Sequence, residues 1–414
     1  MKLSRYSLIA IPWLFAAAAC LAQQVPATIR QLTSPEMEGR AFRGAGSRLA
    51  AESIARHFRE NGLQVSRQQL PGGGQNVLGL LPGVDDRLRQ EYLIVGAHYD
   101  GLGGSFVGAM ENAAGVALLI ELARELGKKP LPRGVLFIAF DGGEERNAGA
   151  RYYLEHPAVP LEKTNLAMML SGFGGGWSEQ LRETLYAIGA EFVPSAQSML
   201  RQNGIHQLGR DVGRWPGSEH LLFNFPRLPT IGLTNGLHYA YHSKADTPNR
   251  IDYAALDIQL NRLVKLVREV GGIEGKIELV SQPEYDSGEA MAWHTALSAL
   301  RENLLKSPEN QAGQIQIDDV LRELRRLRDR PVQEPKAREA VLLRAANLCH
   351  YIAHPNAVEY EVLTLEARKA EAAGDKPRLV ESLRRLLRFL EDEYRPDEQT
   401  LRDLRERLAK LTGK

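Results

Sequence analysis

Between about residues 25 and 275 the chain alternates short apolar runs with stretches of helical spacing. The runs at 77–81, 92–97, 135–140, 166–170 and 230–233 have the length and near-continuous apolar character of strands buried on both faces. Residues 47–61, ending at Gly62, together with 112–126 and 251–270, carry the 3.6-residue spacing of helices that bury one side. This alternation predicts a three-layer α/β/α domain around a mixed, mainly parallel sheet, over residues 23–275. Its functional loops are expected at the C-terminal ends of the strands.

Beyond Gly275 the pattern changes. A strand is predicted at 277–280, after which Leu, Arg, Glu and Ala dominate. Leu379, Leu383, Leu386 and Leu390 repeat at helical spacing, as do Leu401, Leu404, Leu408 and Leu411. Asp375 and Asp397 stand where helix N-caps are expected. Residues 276–414 therefore read as an all-α accessory domain of antiparallel helices. It serves either to stabilise and shield the first domain or to dock a protein partner.

Composition narrows the function classes. With 43% hydrophobic and 25% charged residues in 414, the chain has material for a large core and a second unit. A net charge of +1, with the C-terminal arginines interleaved by acids, gives no general attraction for phosphate and argues against a nucleic-acid partner. Lys2 and Arg5 ahead of the apolar run 9–19 read as an export signal over residues 1–22, too short to span a membrane. Its end is open between a lipoprotein site, with Cys20 as a lipid anchor, and ordinary cleavage before Gln23. The protein is thus expected to be exported: periplasmic, secreted or lipid-anchored at the cell envelope. Cys349 is the other cysteine and lies in an apolar stretch, as a small core residue would.

Candidate chemistry lies where the apolar runs end. His98 follows the 92–97 run and Asp100 comes two residues later, on the same side of an extended chain, where it can orient the imidazole. Glu111 stands after a Gly-rich loop at the start of the 112–126 helix, either as a ligand or as an acid favoured by the helix N-terminus. Glu144 and Glu145 follow Asp141-Gly-Gly after the 135–140 run. An adjacent pair of carboxylates permits one to bind metal while the other acts as a base. His242 lies beyond the 230–233 run, ahead of Asp246 and a Thr247-Pro248 helix start. These residue types are those that hold a hydrolytic zinc. His220 and His238 read as pocket or surface residues.

Taken in order, these motifs and the lead-in Ser34-Pro-Glu-Met-Glu-Gly-Arg40 resemble the exported zinc aminopeptidases (peptidase family M28), a family that also contains glutaminyl cyclases and catalytically silent members. The resemblance spans roughly residues 30–275 and leaves the helical region unmatched. It implies that His98 binds a first metal, that Glu145 and His242 bind a second, that Glu111 is the shared carboxylate, that Glu144 is the general base and that Asp100 orients His98. Two departures accompany it. Glu111 stands where the family has a bridging Asp, and Ser171 stands where a further Asp completes the first metal site. Since a hydroxyl is a poor zinc ligand, the resemblance implies a weakened first site and one zinc, with two as the alternative. Glu219 likewise stands where an Asp is usual.

The leading expectation is a zinc-dependent exopeptidase of aminopeptidase type, acting on peptides in the cell envelope. Its rivals are a catalytically degenerate peptidase fold that serves as a binding or scaffold module and, less favoured, glutaminyl cyclase-like amide chemistry. The loops 173–178 and 211–218, with Trp177 and Trp215, suggest an aromatic-lined cleft or simple packing.

Overall fold

The computed structural model describes residues 24–209, 219–223, 228–236, 238–282, 288–304, 311–329 and 335–413. The expected export segment 1–22 with Cys20 lies outside the described residues, as do residues 211–218 with Trp215. No described helix is long and apolar enough to cross a membrane.

Helices α1 (24–32) and α2 (Ala45–Glu60) precede a hairpin of β1 (Gln64–Gln69) and β2 (Gln75–Leu81). Then come β3 (Tyr92–His98), α3 (Ala114–Lys128), β4 (Gly134–Phe140), α4 (Ala148–Glu155) and β5 (Thr164–Leu170). The domain continues through β6 (Leu185–Ile188), α5 (Pro194–Gln202), β7 (Ile205–Leu208), α6 (Glu219–Phe223), β8 (Thr230–Thr234) and α7 (Tyr253–Gly272). The strands form one sheet in the order β1-β2-β4-β3-β5-β8-β6-β7. Its centre, β4-β3-β5-β8, is parallel; β1 and β2 pair antiparallel on one side, and β6 opposes β8 on the other.

The central strands are apolar along their whole length because both faces are covered. Alternate residues divide between the layers. Val95, Val135 and Phe137 enter the core that contains residues of α2, α3 and α7, while Ile94, Leu136, Ile138 and Phe140 join Tyr153 of α4 and Phe223 of α6. The five strands predicted from apolar runs are present to within two residues at each end. β1, by contrast, has the polar sequence Gln-Val-Ser-Arg-Gln-Gln and lies at the sheet edge, where its exposed side chains need no apolar run.

Two boundaries differ from expectation. The helix predicted from Asn112 starts at Ala114, since Glu111 and Asn112 have non-helical φ/ψ angles. The strand predicted at 277–280 does not form: Ile277 donates its N–H to Asn165 Oδ1 and Val280 to the Phe192 carbonyl, so the backbone is satisfied without a ladder.

The C-terminal region is helical, as α8 (Gly288–Leu304), α9 (Gln311–Asp329), α10 (Pro335–Ala353), α11 (Pro355–Ala372), α12 (Lys376–Asp392) and α13 (Glu398–Thr412). It is not a loosely tethered appendage. Trp293, Ala296, Leu297 and Leu324 share one apolar core with Tyr186 and Ile188 of β6, Leu208 of β7 and Trp177. Trp177 packs there at 5.5 Å from the Trp293 ring, so it belongs to this core. Cys349 is buried in the same cluster, and burial pushes its thiol up, away from nucleophilic use. The last three helices bury the two predicted leucine series against each other, at about 1.5–3 kcal/mol for each fully buried leucine. Asp375 and Asp397 cap α12 and α13 by accepting the N–H of Arg378 and Thr400.

Candidate active site

The parallel strands β3, β4, β5 and β8 all end on one side of the sheet, and their following loops converge there. His98 is the last residue of β3, Ser171 follows β5, Glu144 lies in the turn after β4, and His242 lies in the loop after β8. Glu111 comes from the irregular turn ahead of α3. A cavity of about 320 Å³ opens over these side chains and is lined by His98, Glu111, Glu144, Ser171, Glu219 and His242, among others.

His98 Nε2 is 2.9 Å from Glu111 Oε1, and its Nδ1 is 3.5 Å from Asp100 Oδ1. One donor atom each from His98, Glu111 and Glu144 lie within 4.8 Å of one another. His242 Nε2 is 3.2 Å from Glu144 Oε1, with the Tyr241 ring stacked on the imidazole at 3.8 Å. Glu111 is held from both ends. Its carboxylate accepts the Ser171 hydroxyl at 2.9 and 3.2 Å, and the N–H groups of Met110 and Glu111 donate to the buried carboxylate of Asp246. The cis peptide between Glu111 and Asn112 lies in this turn, and the Asn112 amide donates to the carbonyls of His98 and Leu170, tying it to the ends of β3 and β5.

Asp100 has a second task besides its place next to His98. It accepts the N–H groups of Gly143 and Glu144 at 2.7 and 3.0 Å, so it fixes the turn that presents Glu144 while standing beside His98. Gly143 is required for that approach: a Cβ there would lie 2.4 Å from His98 Cγ. The lead-in residue Arg40 is fully buried and donates to the carbonyls of Leu32, Tyr99, Val107 and Gly108, anchoring the loop between His98 and Glu111.

Glu145, the expected metal ligand of the pair, does not join the cluster, and Glu144, the expected base, stands there instead. The Glu145 carboxylate accepts both bonds, at 2.9 and 2.7 Å, from Nη2 of Arg402 on α13. Successive residues in the tight 142–147 turn point in different directions, and Glu144 takes the inward place. Asp246 differs too: it supports Glu111, while no side-chain cap bond forms at Thr247. His220 is buried on the cavity wall, and His238 lines a neighbouring cavity, where burial and Arg250 depress it to about 4.

The electrostatics favour a cation. Burial alone would depress His98, but the adjacent carboxylates of Asp100 and Glu111 outweigh it and raise its pKa well above the ordinary imidazole value. His242 rises for the same reason, burial being outweighed by Glu144 and Glu111. Burial opposes ionisation of Glu111, yet His98, His242 and Ser171 hold its pKa down. Glu219 goes up to about 7, chiefly through burial. Four carboxylates therefore share a largely buried space with two imidazoles. Zinc has N and O donors at roughly 2.0–2.2 Å, and the mutual spacing of the His98, Glu111 and Glu144 donors suits a shared divalent ion. Buried Nδ1 of His242 has no hydrogen-bond partner among the described residues.

The rim comes from the helical region, which sequence gave no means of placing here. Tyr394, Asp397, Thr400 and Asp403 line the same cavity. The Arg395 N–H donates to the His242 carbonyl at 2.9 Å, and its guanidinium donates to the Leu102 carbonyl and lies over the Phe106 ring.

Residues 76–267 match the profile of peptidase family M28. The uncharacterized protein YfbL of Escherichia coli (strain K12) is 25% identical over 289 residues, covering 59% of this chain and 87% of that protein. Among solved structures, BSAP, a zinc aminopeptidase from Bacillus subtilis, aligns with a TM-score of 0.52 at 15% identity, over 61% of this chain and 95% of that one. Porphyromonas gingivalis glutaminyl cyclase aligns with a TM-score of 0.50 at 18% identity, over 60% and 98%. These structural likenesses establish a zinc-exopeptidase-like fold. With the profile match falling across the strands and loops that build the site, residues 76–267 constitute a peptidase family M28 domain.

Proposed function

We propose that the protein is a zinc-dependent exopeptidase of aminopeptidase type that hydrolyses peptide bonds near a free N-terminus. The observation that carries this reading is the convergence of His98, Glu111 and Glu144 at the C-terminal ends of the parallel strands, with His242 against Glu144. His98 and Glu111, whose donor atoms lie together beside Glu144, are the residues that would hold zinc, with His242 and Glu145 the further ligands that the family resemblance implies. Bound there, the ion would polarise the scissile carbonyl and acidify water.

The chain's own residues supply the rest. Glu144 stands in the cavity as the base that takes a proton from the attacking water and returns it to the leaving amine. Asp100 fixes its backbone, and the His242 imidazole holds its carboxylate in place. Ser171 and Asp246 keep the Glu111 carboxylate turned toward His98. Tyr394, Asp397, Thr400 and Asp403 of the helical region line the same cavity and so stand where a bound peptide would meet them. Substrate is a peptide, met at the cell envelope if residues 1–22 act as the export signal they read as, with Cys20 as a lipid anchor in one version of that processing.

The test is metal analysis of the purified protein together with hydrolysis of aminoacyl-p-nitroanilides by wild type and Glu144→Gln. One equivalent of zinc, with turnover reduced at least about 100-fold in Glu144→Gln while zinc is retained, supports the proposal. A second reading, a degenerate peptidase fold that binds without cleaving, is favoured by Ser171 bonding to Glu111 and by Arg402 occupying Glu145. Zinc-free protein without turnover would select it.

A further inference from the structure

Part of the cavity wall comes from residues outside the family M28 match. Tyr394, Asp397, Thr400 and Asp403 belong to the α12–α13 connection and to α13, beyond residues 76–267, and line the same cavity as His98, Glu111 and Glu144. Bonds to the first domain fix their place. The Arg395 N–H donates to the His242 carbonyl at 2.9 Å, the Arg395 guanidinium donates to the Leu102 carbonyl at 2.8 Å, and Ser243 forms a bridge with Tyr394. The lining they complete is acidic: Glu111, Glu144, Glu219, Asp397 and Asp403 all contribute to it, while Arg146, exposed on the rim, is the sole Lys or Arg among the described lining residues. A zinc ion beside His98 and Glu111 would offset the charges of Glu111 and Glu144 and leave those of Asp397 and Asp403. Both of these carboxylates are held by neutral donors, Asp397 by the N–H and hydroxyl of Thr400 and Asp403 by the Gln399 amide, so each keeps its charge for a ligand. An independent mark of a ligand lies in the same cavity. Glu219 is 1% exposed, and its Oε1 has no hydrogen-bond partner among the described residues. An acceptor buried in a cavity wall in that state is matched by a donor that the ligand brings.

We propose that the cavity is built for peptides whose first residue is lysine or arginine, with Asp397 and Asp403 of the helical region taking the cationic side chain and Glu219 accepting from the α-ammonium group. The inference rests on the peptidase reading above and names the substrate class of that site. One cavity contains both the reacting groups and these acids, so the residue whose bond is cut is the one that meets them. Tyr394 supplies an aromatic face on which the alkyl stem of a long side chain lies while its charged end reaches the carboxylates. Asp397 and Asp403 are only partly shielded from solvent, so their attraction for a cation is modest and selects among substrates instead of supplying most of the binding. A neutral side chain of the same length packs on Tyr394 equally well and leaves both charges without a counterpart. The selection belongs to the helical region and is separable from the reaction: the acids that carry it come from a part of the chain other than the one that supplies His98, Glu111 and Glu144.

The experiment is calorimetric binding of lysinamide and norleucinamide, which share an alkyl stem and differ by one charge, to the full chain in the presence of zinc, for wild type, Asp397→Asn, Asp403→Asn, the double variant and Glu219→Gln. Asparagine keeps the oxygen that caps Thr400 and the one that accepts from Gln399, so the charge is removed and the fold retained, as thermal melts establish. Wild type is expected to bind lysinamide about threefold to tenfold more tightly than norleucinamide, a preference that shrinks as salt is raised. The double variant is expected to bind the two amides within about twofold of each other, with the single variants between. Glu219→Gln is expected to weaken both amides alike, because both carry the α-ammonium group. Cleavage of lysyl- and norleucyl-p-nitroanilides, read as kcat/KM, is measured in parallel. Equal binding of the two amides by wild type, or a preference that persists in the folded double variant, overturns the proposal and leaves the peptidase reading standing where the anilides are cleaved. An effect of Glu219→Gln confined to one amide overturns the role given to Glu219. A lysinamide preference lost in the double variant, without cleavage of either anilide, supports the cationic site and overturns the peptidase reading. Neither binding nor cleavage overturns both.

Discussion

Asp246 offers the sharpest test of how the site is held. Its carboxylate is 2% exposed and accepts two backbone N–H groups, from Met110 at 2.8 Å and Glu111 at 3.1 Å. Asp246→Ala leaves both donors buried without an acceptor, at about 1–3 kcal/mol each. The expected destabilisation is therefore roughly 2–5 kcal/mol, the upper end reduced by water entering the vacated polar space. Asp246→Asn keeps one oxygen and turns its amide toward the other N–H, so about half that loss is expected. The order wild type, Asn, Ala should appear in urea-unfolding midpoints at constant m-value. Because these bonds also fix the Glu111 backbone, zinc affinity should fall in the same order. A Asp246→Ala protein within about 0.5 kcal/mol of wild type would refute the account, since two orphaned buried donors cannot cost so little.

Other variants probe the neighbouring parts. Gly143→Ala places a methyl against the His98 ring and should cost about 1–3 kcal/mol, with weakened zinc binding read by chelator competition; unchanged binding would deny that the 142–147 turn packs on the imidazole. Ser171→Asp should raise zinc stoichiometry measured by elemental analysis, by adding a carboxylate beside Glu111; an unaltered metal content would count against that placement. Burial raises Asp141 to about 6, against an ordinary 3.8, with the charge of Asp100 adding to the effect. Because the folded-state value is the higher one, this group's contribution is present in full below about pH 4 and lost as pH rises through 6, an order of 3 kcal/mol. Asp141→Asn should remove that part of the slope in urea titrations at pH 4.5 and 8, and an unchanged slope would assign it elsewhere.

Much of the fold could be read from residues alone. The 92–97, 135–140 and 166–170 runs are apolar throughout because these strands lie between two helical layers, and this leaves a mark in composition. Edge elements leave none. β1 is polar and β6 and β7 are four residues each, too short for a periodic signal. The leucine spacing and Asp caps of α12 and α13 were likewise local properties, and they formed as expected.

The site divides along the same line. His98, Glu144 and His242 were visible as candidates because they follow strand ends, and Glu111 because it precedes a helix, where local pattern announces such positions. What each side chain does was decided by distance in space. Glu144 and Glu145 are neighbours with the same chemistry, yet one faces His242 and the other Arg402, a residue 257 positions away. Asp246 looks like a helix cap in sequence and acts as the anchor of a turn 135 positions earlier. Local sequence determines strands, helices and the kinds of groups available, because those depend on spacing and side-chain type. Which carboxylate meets the imidazole, and which is claimed by the C-terminal helices, depends on how separate elements pack, so the tertiary structure alone decides it.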